Sequence, residues 1–205
     1  MGNGKDAEVR KKEILDVAEE LFTAKGYDNT STTDILERVG IARGTLYYHF
    51  KSKEEILDAL IDRITHGIVF NIRSALSNQT TAPKKLISFV GAIKIDSAIG
   101  KEITDYAHKP QNALMHQKIQ GALLAVLTPI VTEIIQDGIN EGSFSTNYPE
   151  EVAEMLLIYS SVVFDDMNDV SESEMAKKTA GFVFNMERLL GVKQGDLAEL
   201  ISLIN

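Results

Sequence analysis

Apolar residues recur along this chain with the 3.6-residue period of helices, and no segment makes a persuasive strand. Between Glu8 and Ala24, the positions Ile14, Val17, Ala18, Leu21 and Phe22 fall at i, i+3, i+4, i+7 and i+8, forming one apolar stripe. Lys25-Gly26 ends that helix, because glycine takes the positive φ of a C-cap without steric cost. Ser31-Thr32-Thr33-Asp34 opens a second helix with a capping-box pattern, a hydroxyl at the cap and an acid three residues on. Ile35, Leu36 and Val39 form its apolar side, and Gly40 stops it. A third, short helix is expected from Ala42 to Phe50, with Leu46 and Phe50 in the core. Ser52-Lys53-Glu54-Glu55 caps a fourth, whose Leu57, Ile61, Ile64, Ile68 and Ile72 keep one face apolar to about Leu76.

The second half repeats the pattern. Pro83 stands where a helix tolerates proline, in the first turn, and Leu86, Phe89, Val90 and Ile93 follow at helical spacing. A short helix is expected over Lys101 to His108, and a long one from about Asn112 to Asn140, kinked at Pro129 and closed by Gly142. Pro149 opens a helix bearing Val152, Met155, Leu156, Tyr159 and Val163. Ser171-Glu172-Ser173-Glu174 starts the last, with Met175, Phe182, Val183, Met186 and Leu190 inward and Gly191 after it. The fold class is therefore all-α.

Composition narrows the function. The 205 residues are 44% apolar and 25% charged, ordinary for a globular protein able to bury a core. There is no cysteine, which excludes disulfides and thiolate metal sites. No run of about 18 apolar residues and no charged-then-apolar leader is present, so neither a membrane span nor a signal peptide is expected, and the location read from this is cytoplasmic. The net charge of −9 is unevenly placed. Through Lys53 there are nine Lys/Arg and nine Asp/Glu; from Glu54 onward there are twelve and twenty-one. An acidic body repels phosphate, while a neutral head can still present a basic face.

Catalytic and metal chemistry find little support. His108 and His116 flank Pro110 at no usual ligand spacing, and the Asp165-Asp166-Asn168-Asp169 cluster lacks the glycine and terminal glutamate of a calcium loop. No G-x-S-x-G, P-loop or glycine-rich dinucleotide turn occurs. No enzyme activity, metal or cofactor is expected.

The segment from Gly26 to Lys53 has a different character. Two short helices are separated by Gly40-Ile41, about the length of a helix-turn-helix turn. The first has a hydroxyl-rich start, and the second is crowded with Arg43, Thr45, Tyr47, Tyr48 and His49, followed by Lys51 and Lys53. Helix-start amides, hydroxyls and lysines bind phosphate, and side chains on a short helix in the major groove read base edges. Tyr47 and Tyr48 lie on neighbouring faces, so at least one points outward. Lys5, Arg10, Lys11 and Lys12 read either as an arm toward DNA or, with Asp6, Glu8 and Glu13 interleaved, as a solvated helix end.

These residues resemble the TetR (tetracycline repressor) family. The matching run extends from Gly26-Tyr27 to Ile56-Leu57 through Thr30-Ser31, Asp34-Ile35, Val39-Gly40, Gly44-Thr45-Leu46-Tyr47, His49-Phe50 and Ser52-Lys53-Glu54, with the core IARGTLYYHFKSKEEIL. The resemblance implies about nine helices, with a helix-turn-helix DNA-binding domain over residues 1–53 and a ligand-sensing and dimerisation domain over 54–205. It implies a homodimer on a double-stranded DNA operator, released by a small-molecule effector, with no membrane partner. Carried over by residue, Thr30, Ser31 and Thr32 would touch phosphates; Arg43, Gly44, Thr45, Tyr47, Tyr48 and His49 would face the groove or its walls; Lys53 would hold a backbone phosphate. One departure is Ala42, where the family often has a serine cap; alanine has no side-chain acceptor.

For the effector, Phe89, Ile93, Ile103, Tyr106, Met115, His116, Ile119, Leu123, Tyr159 and Phe164 are candidate pocket residues, with ordinary bundle core as the competing reading for each. The subunit seam is expected at Met155, Tyr159, Val163, Phe182, Met186 and Leu190. Competing functions are an activator or ligand-independent DNA binder on the same scaffold, and a helical protein-interaction module.

Overall fold

A computed structural model of the chain describes residues 3–99, 112–164 and 170–204, with side chains over 6–93, 112–164 and 170–204. The described residues form nine helices and no strand. They are α1 (Asn3–Lys25), α2 (Thr32–Val39), α3 (Arg43–His49), α4 (Lys53–Leu76), α5 (Ala82–Ile99), α6 (Ala113–Asn140), α7 (Pro149–Val163), α8 (Glu172–Leu190) and α9 (Glu199–Ile204). The all-α expectation holds. The expected helix over Lys101 to His108, the candidate pocket residues Ile103 and Tyr106, and the Asp165–Asp169 cluster lie outside the described residues.

The chain divides into two compact units: Met1–Thr65 with Gly100–Ile119, and His66–Ile99 with Gln120–Asn205. In the first, Ile14, Leu15, Ala18 and Phe22 of α1 are buried together with Ile35 of α2, Leu46 of α3, Phe50, and Ile56, Leu57, Leu60 and Ile61 of α4. Burying each such side chain is worth about 1.5–3 kcal/mol, so this core outweighs the ion pairs around it. Those pairs join Arg63 to Asp16 and Glu19, and Lys118 to Glu54 and Asp58. Local signals act as read: Ser31 caps α2 with a reciprocal Asp34 bond, and Gly40 closes it in the left-handed region at φ 75°. The Ser52 hydroxyl caps α4 by accepting the Glu55 amide at 3.1 Å.

In the second unit the core gathers Ile72, Leu86 and Phe89 with Ile130, Val131, Ile134 and Ile135 of α6, Leu156 and Leu157 of α7, and Phe182, Val183, Met186 and Leu190 of α8. The short α9 packs on α5 and α8, with Leu197 and Leu200 buried. Among the described helices, α6 has the length and composition of a membrane span, with mean hydropathy 1.5 over 18 residues. Its Leu127, Ile130, Val131, Ile134 and Ile135 are buried in the core, the arrangement of a core helix, and it continues across an exposed Pro129.

One expectation is corrected. Phe182, Met186 and Leu190 do not form an outer seam; they are buried in the chain's own core, and Val163 is half-buried. Met155 and Tyr159 are exposed as expected, on a stripe continued by Ile158 and Val162 at i, i+3, i+4 and i+7 of α7. On α8 the outward aromatic is Phe184. Phe184 stands among exposed Lys177, Asn185 and Arg188, and periodicity finds the apolar face of α8 without telling whether that face packs in the chain's own core or on a partner.

Candidate DNA interface

α3 presents a two-sided surface. Leu46 and Phe50 anchor it, both nearly fully buried. Ala42, Arg43 and Gly44 are exposed, Thr45, Tyr47 and His49 half-buried, and Tyr48 is 74% exposed. The Tyr48 ring meets His49 edge-on at 5.0 Å. Ala42 occupies the N-cap in extended geometry with no side-chain cap bond, as the sequence implied. No side chain or backbone atom lies within 4 Å of the place a Cβ would take on Gly44.

Tyr47 links the two helices of the motif. Hydrogen bonding with the Thr32 hydroxyl, and then with Arg43, holds its phenol below the ordinary tyrosine range. The Arg43 guanidinium lies 5.4 Å from the centre of its ring. Lys51 is exposed, and its ammonium donates to the Tyr47 carbonyl at 3.1 Å.

The three hydroxyls expected to reach phosphate are all engaged within the chain. Thr30 is 1% exposed and donates to the Gly26 carbonyl at 2.8 Å, so it is corrected from contact to structural residue. Ser31 donates to Asp34 Oδ2 at 2.6 Å and accepts the Asp34 amide. The Asp34 carboxyl is held well below the usual carboxylate range by Lys25 first and by Ser31 second. Thr32 is tied to Tyr47. What remains at the start of α2 is backbone: the first amides of a helix lack intrahelical acceptors. Thr33 is exposed, and among the described residues no bond engages its hydroxyl; sequence reading passed over it.

Lys53 also departs from expectation. Its ammonium donates to the Tyr27 carbonyl at 2.7 Å and lies 4.1 Å from the centre of the Tyr27 ring. Burial lowers its pKa. It holds the loop before α2 instead of projecting toward a ligand.

Charge follows the same division. Five acids of α1 and α2 are paired: Glu13 with Arg10, Asp16 with Lys12 and Arg63, Glu19 with Arg63, Glu20 with Arg38, and Asp34 with Lys25. Among the described residues no carboxylate pairs with the side chains of Arg43 or Lys51. A head neutral by count thus still leaves the Arg43 and Lys51 cations, on and just after α3, without a carboxylate partner among the described residues.

The candidate pocket residues fall in different places. Phe89 is buried in the second unit's core, with Ile93, Leu123 and Phe164 packed against it. Tyr159 is exposed and stacks on Phe182 at 5.2 Å. Met115, His116 and Ile119 belong to the first unit, Met115 buried and the others half-buried.

Comparison with known proteins agrees with this geometry. The family described as "Bacterial regulatory proteins, tetR family" matches residues 14–60, and "Tetracyclin repressor-like, C-terminal domain" matches 95–184. The chain is 30% identical over 139 residues to the fatty acid metabolism regulator protein of Bacillus subtilis, covering 63% of this chain and 71% of the relative. It is 30% identical over 148 residues to the HTH-type transcriptional activator FasR of Mycolicibacterium smegmatis, covering 69% of this chain and 64% of that one. The solved fatty acid degradation regulator FadR of Bacillus halodurans shares the fold, with TM-score 0.63 at 19% identity over 95% of this chain and 92% of that one. The chain belongs to the tetR family of bacterial regulatory proteins and is a DNA-binding transcriptional regulator.

Proposed function

We propose that the chain is a dimeric repressor that leaves a palindromic operator when a small molecule binds. The observation that carries the DNA contact is the outward side of α3, where Arg43, Gly44 and Tyr48 are exposed and, among the described residues, no carboxylate pairs with Arg43. The proposed contact set is Arg43, Gly44, Thr45, Tyr48, His49 and Lys51, with the first amides of α2 and the Thr33 hydroxyl meeting phosphate. Tyr47 orients Arg43. In functional terms residues 1–53 bind DNA and 54–205 sense and dimerise, in the cytoplasm, with no catalytic role.

The α7 stripe Met155, Ile158, Tyr159 and Val162, with Phe184 of α8, is the proposed subunit seam: exposed apolar side chains at helical spacing favour association over solvation. Two relatives are named for fatty acid metabolism or degradation, which supports an apolar, fatty-acid-like effector. FasR is named an activator, so activation on the same scaffold is the second reading.

A duplex from upstream of the gene, titrated by fluorescence anisotropy at several salt concentrations, tests the DNA contact. Arg43→Ala is expected to raise the Kd for the operator about tenfold or more, the worth of a base-edge contact, while changing affinity for random duplex little. Equal loss on both duplexes, or no loss, removes Arg43 from base reading. Adding a long-chain fatty acid should release the wild-type complex; unchanged anisotropy across the titration excludes that effector class.

A further inference from the structure

The loop between α1 and α2 sets the direction in which the helix-turn-helix leaves α1. Its central residue, Tyr27, is 5% exposed, and a buried peptide needs partners for both its N–H and its C=O. α1 ends at Gly26, whose φ of 91° turns the chain and whose amide bonds back to the Phe22 carbonyl. The Tyr27 amide therefore has no acceptor in its own helix. It donates to Asn112 Oδ1 at 2.7 Å, across 85 residues of sequence. Asn112 is fully buried and stands immediately before α6.

The other side of the same peptide is held too. The Tyr27 carbonyl accepts from Lys53 Nζ at 2.7 Å and from the Thr30 amide at 3.1 Å. Its ring packs edge-on against Phe22 at 5.1 Å, with the Lys53 ammonium over a face. Thr30 closes the loop by donating to Gly26, and Ser31 then caps α2. α2 passes the constraint to α3 through the Gly40 turn and the Thr32–Tyr47 bond. The chain of contacts from Asn112 to the exposed side of α3 is thus continuous and lies within one compact unit. Lys118 adds a second hold on α4 through Glu54 and Asp58.

We propose that Asn112 is a positioning residue for operator binding: by accepting the Tyr27 amide it fixes the loop that aims α2 and α3. The start of α6 is then a working part of the DNA-binding head, although it lies some sixty residues beyond the motif in sequence. The inference rests on α3 being the helix that reads DNA.

The test begins with a duplex selected from a random pool by the wild-type full-length chain; failure to select any duplex would overturn both that reading and this inference. With a selected duplex in hand, Asn112→Ala is expected to bind it about tenfold more weakly, the scale of one lost buried hydrogen bond, with affinity for random duplex unchanged. Hydrogen exchange at the Tyr27 amide should accelerate in the same variant. Asn112→Asp retains an acceptor oxygen, so its Tyr27 amide should stay protected and its operator affinity near wild type. Asn112→Ala binding the selected duplex as wild type does, or losing both duplexes in step with its melting temperature, overturns the inference alone. Should Asn112→Ala fail to fold, Asn112→Asp decides: operator affinity that follows Tyr27 protection supports the role, and affinity that does not follow it overturns it.

Discussion

Gly44 is hard to explain by the chain's own stability. It lies in the first turn of α3, and the space its Cβ would fill is empty to 4 Å. Alanine there would stabilise the helix by roughly 0.5–1 kcal/mol, because glycine loses more backbone freedom on folding. A bare backbone on an exposed, cation-bearing turn has a use if something must approach it closely, and a phosphate-lined groove does. Gly44→Ala is therefore expected to raise the melting temperature slightly while weakening operator binding several-fold. Parallel calorimetry and anisotropy titration check this, and a stabilised variant with full operator affinity would remove the close approach. The hydroxyls of Thr30, Ser31 and Thr32 show the opposite situation: each looked available in sequence, and each has a partner within the chain. The Ser31–Asp34 bond is the capping box that the sequence shows, but the engagement of Thr30 and Thr32 depends on where Gly26 and Tyr47 come to lie, and residue type alone does not reveal it.

Helix ends were legible because their signals are local. Ser31, Ser171, Gly40, Gly142 and Gly191 act where the pattern placed them, the glycines at positive φ. Helix faces were legible only where a single side is apolar. On α8, Phe182 and Phe184 are two residues apart and face core and solvent respectively, and both suit a helix side that packs. Asn112 went unnoticed because a lone asparagine before a helix reads as an ordinary cap, and its acceptor role involves a residue 85 positions away. Glu187 was equally silent. It is buried on α8, and its Oε1 accepts the amides of Gly195 and Leu197, both at 2.9 Å. Those two bonds fix the turn that brings Leu197 and Leu200 into the core ahead of α9. Glu187→Ala leaves two backbone donors unsatisfied, one of them at a buried residue, and should destabilise the chain by about 2–3 kcal/mol. Glu187→Gln keeps an acceptor oxygen and should lose less. Urea unfolding midpoints for the two variants measure the difference; equal midpoints would mean that a neutral acceptor oxygen at this position does not hold the turn.

At the scale of the whole molecule, charge and oligomeric state have to be considered together. All of the net charge of −9 lies beyond Lys53, so one acidic body approaching a polyanion gains little unless two heads engage at once. Linking two modest half-site contacts through a dimer multiplies affinity by about 10²–10⁴ without any new contact to DNA. The α7 stripe offers the means, since Met155, Ile158 and Val162 are solvent-facing in the single chain and can be changed without touching its core, whereas Tyr159, also exposed, stacks on Phe182. Val162, at 67% exposure, and Ile158 contribute little to the fold of one chain. Ile158→Glu is accordingly expected to leave the melting profile of the isolated subunit intact, because a solvated glutamate replaces a solvated isoleucine. In a symmetric seam the same residue occurs on both partners, so two carboxylates would be brought together in an apolar contact. Sedimentation should then show a monomer at micromolar concentration, and affinity for a two-half-site operator should fall about a hundredfold or more, while affinity for a single half-site stays unchanged. A variant that remains dimeric with full operator affinity would place the seam elsewhere and leave the exposed stripe of α7 without a role in assembly.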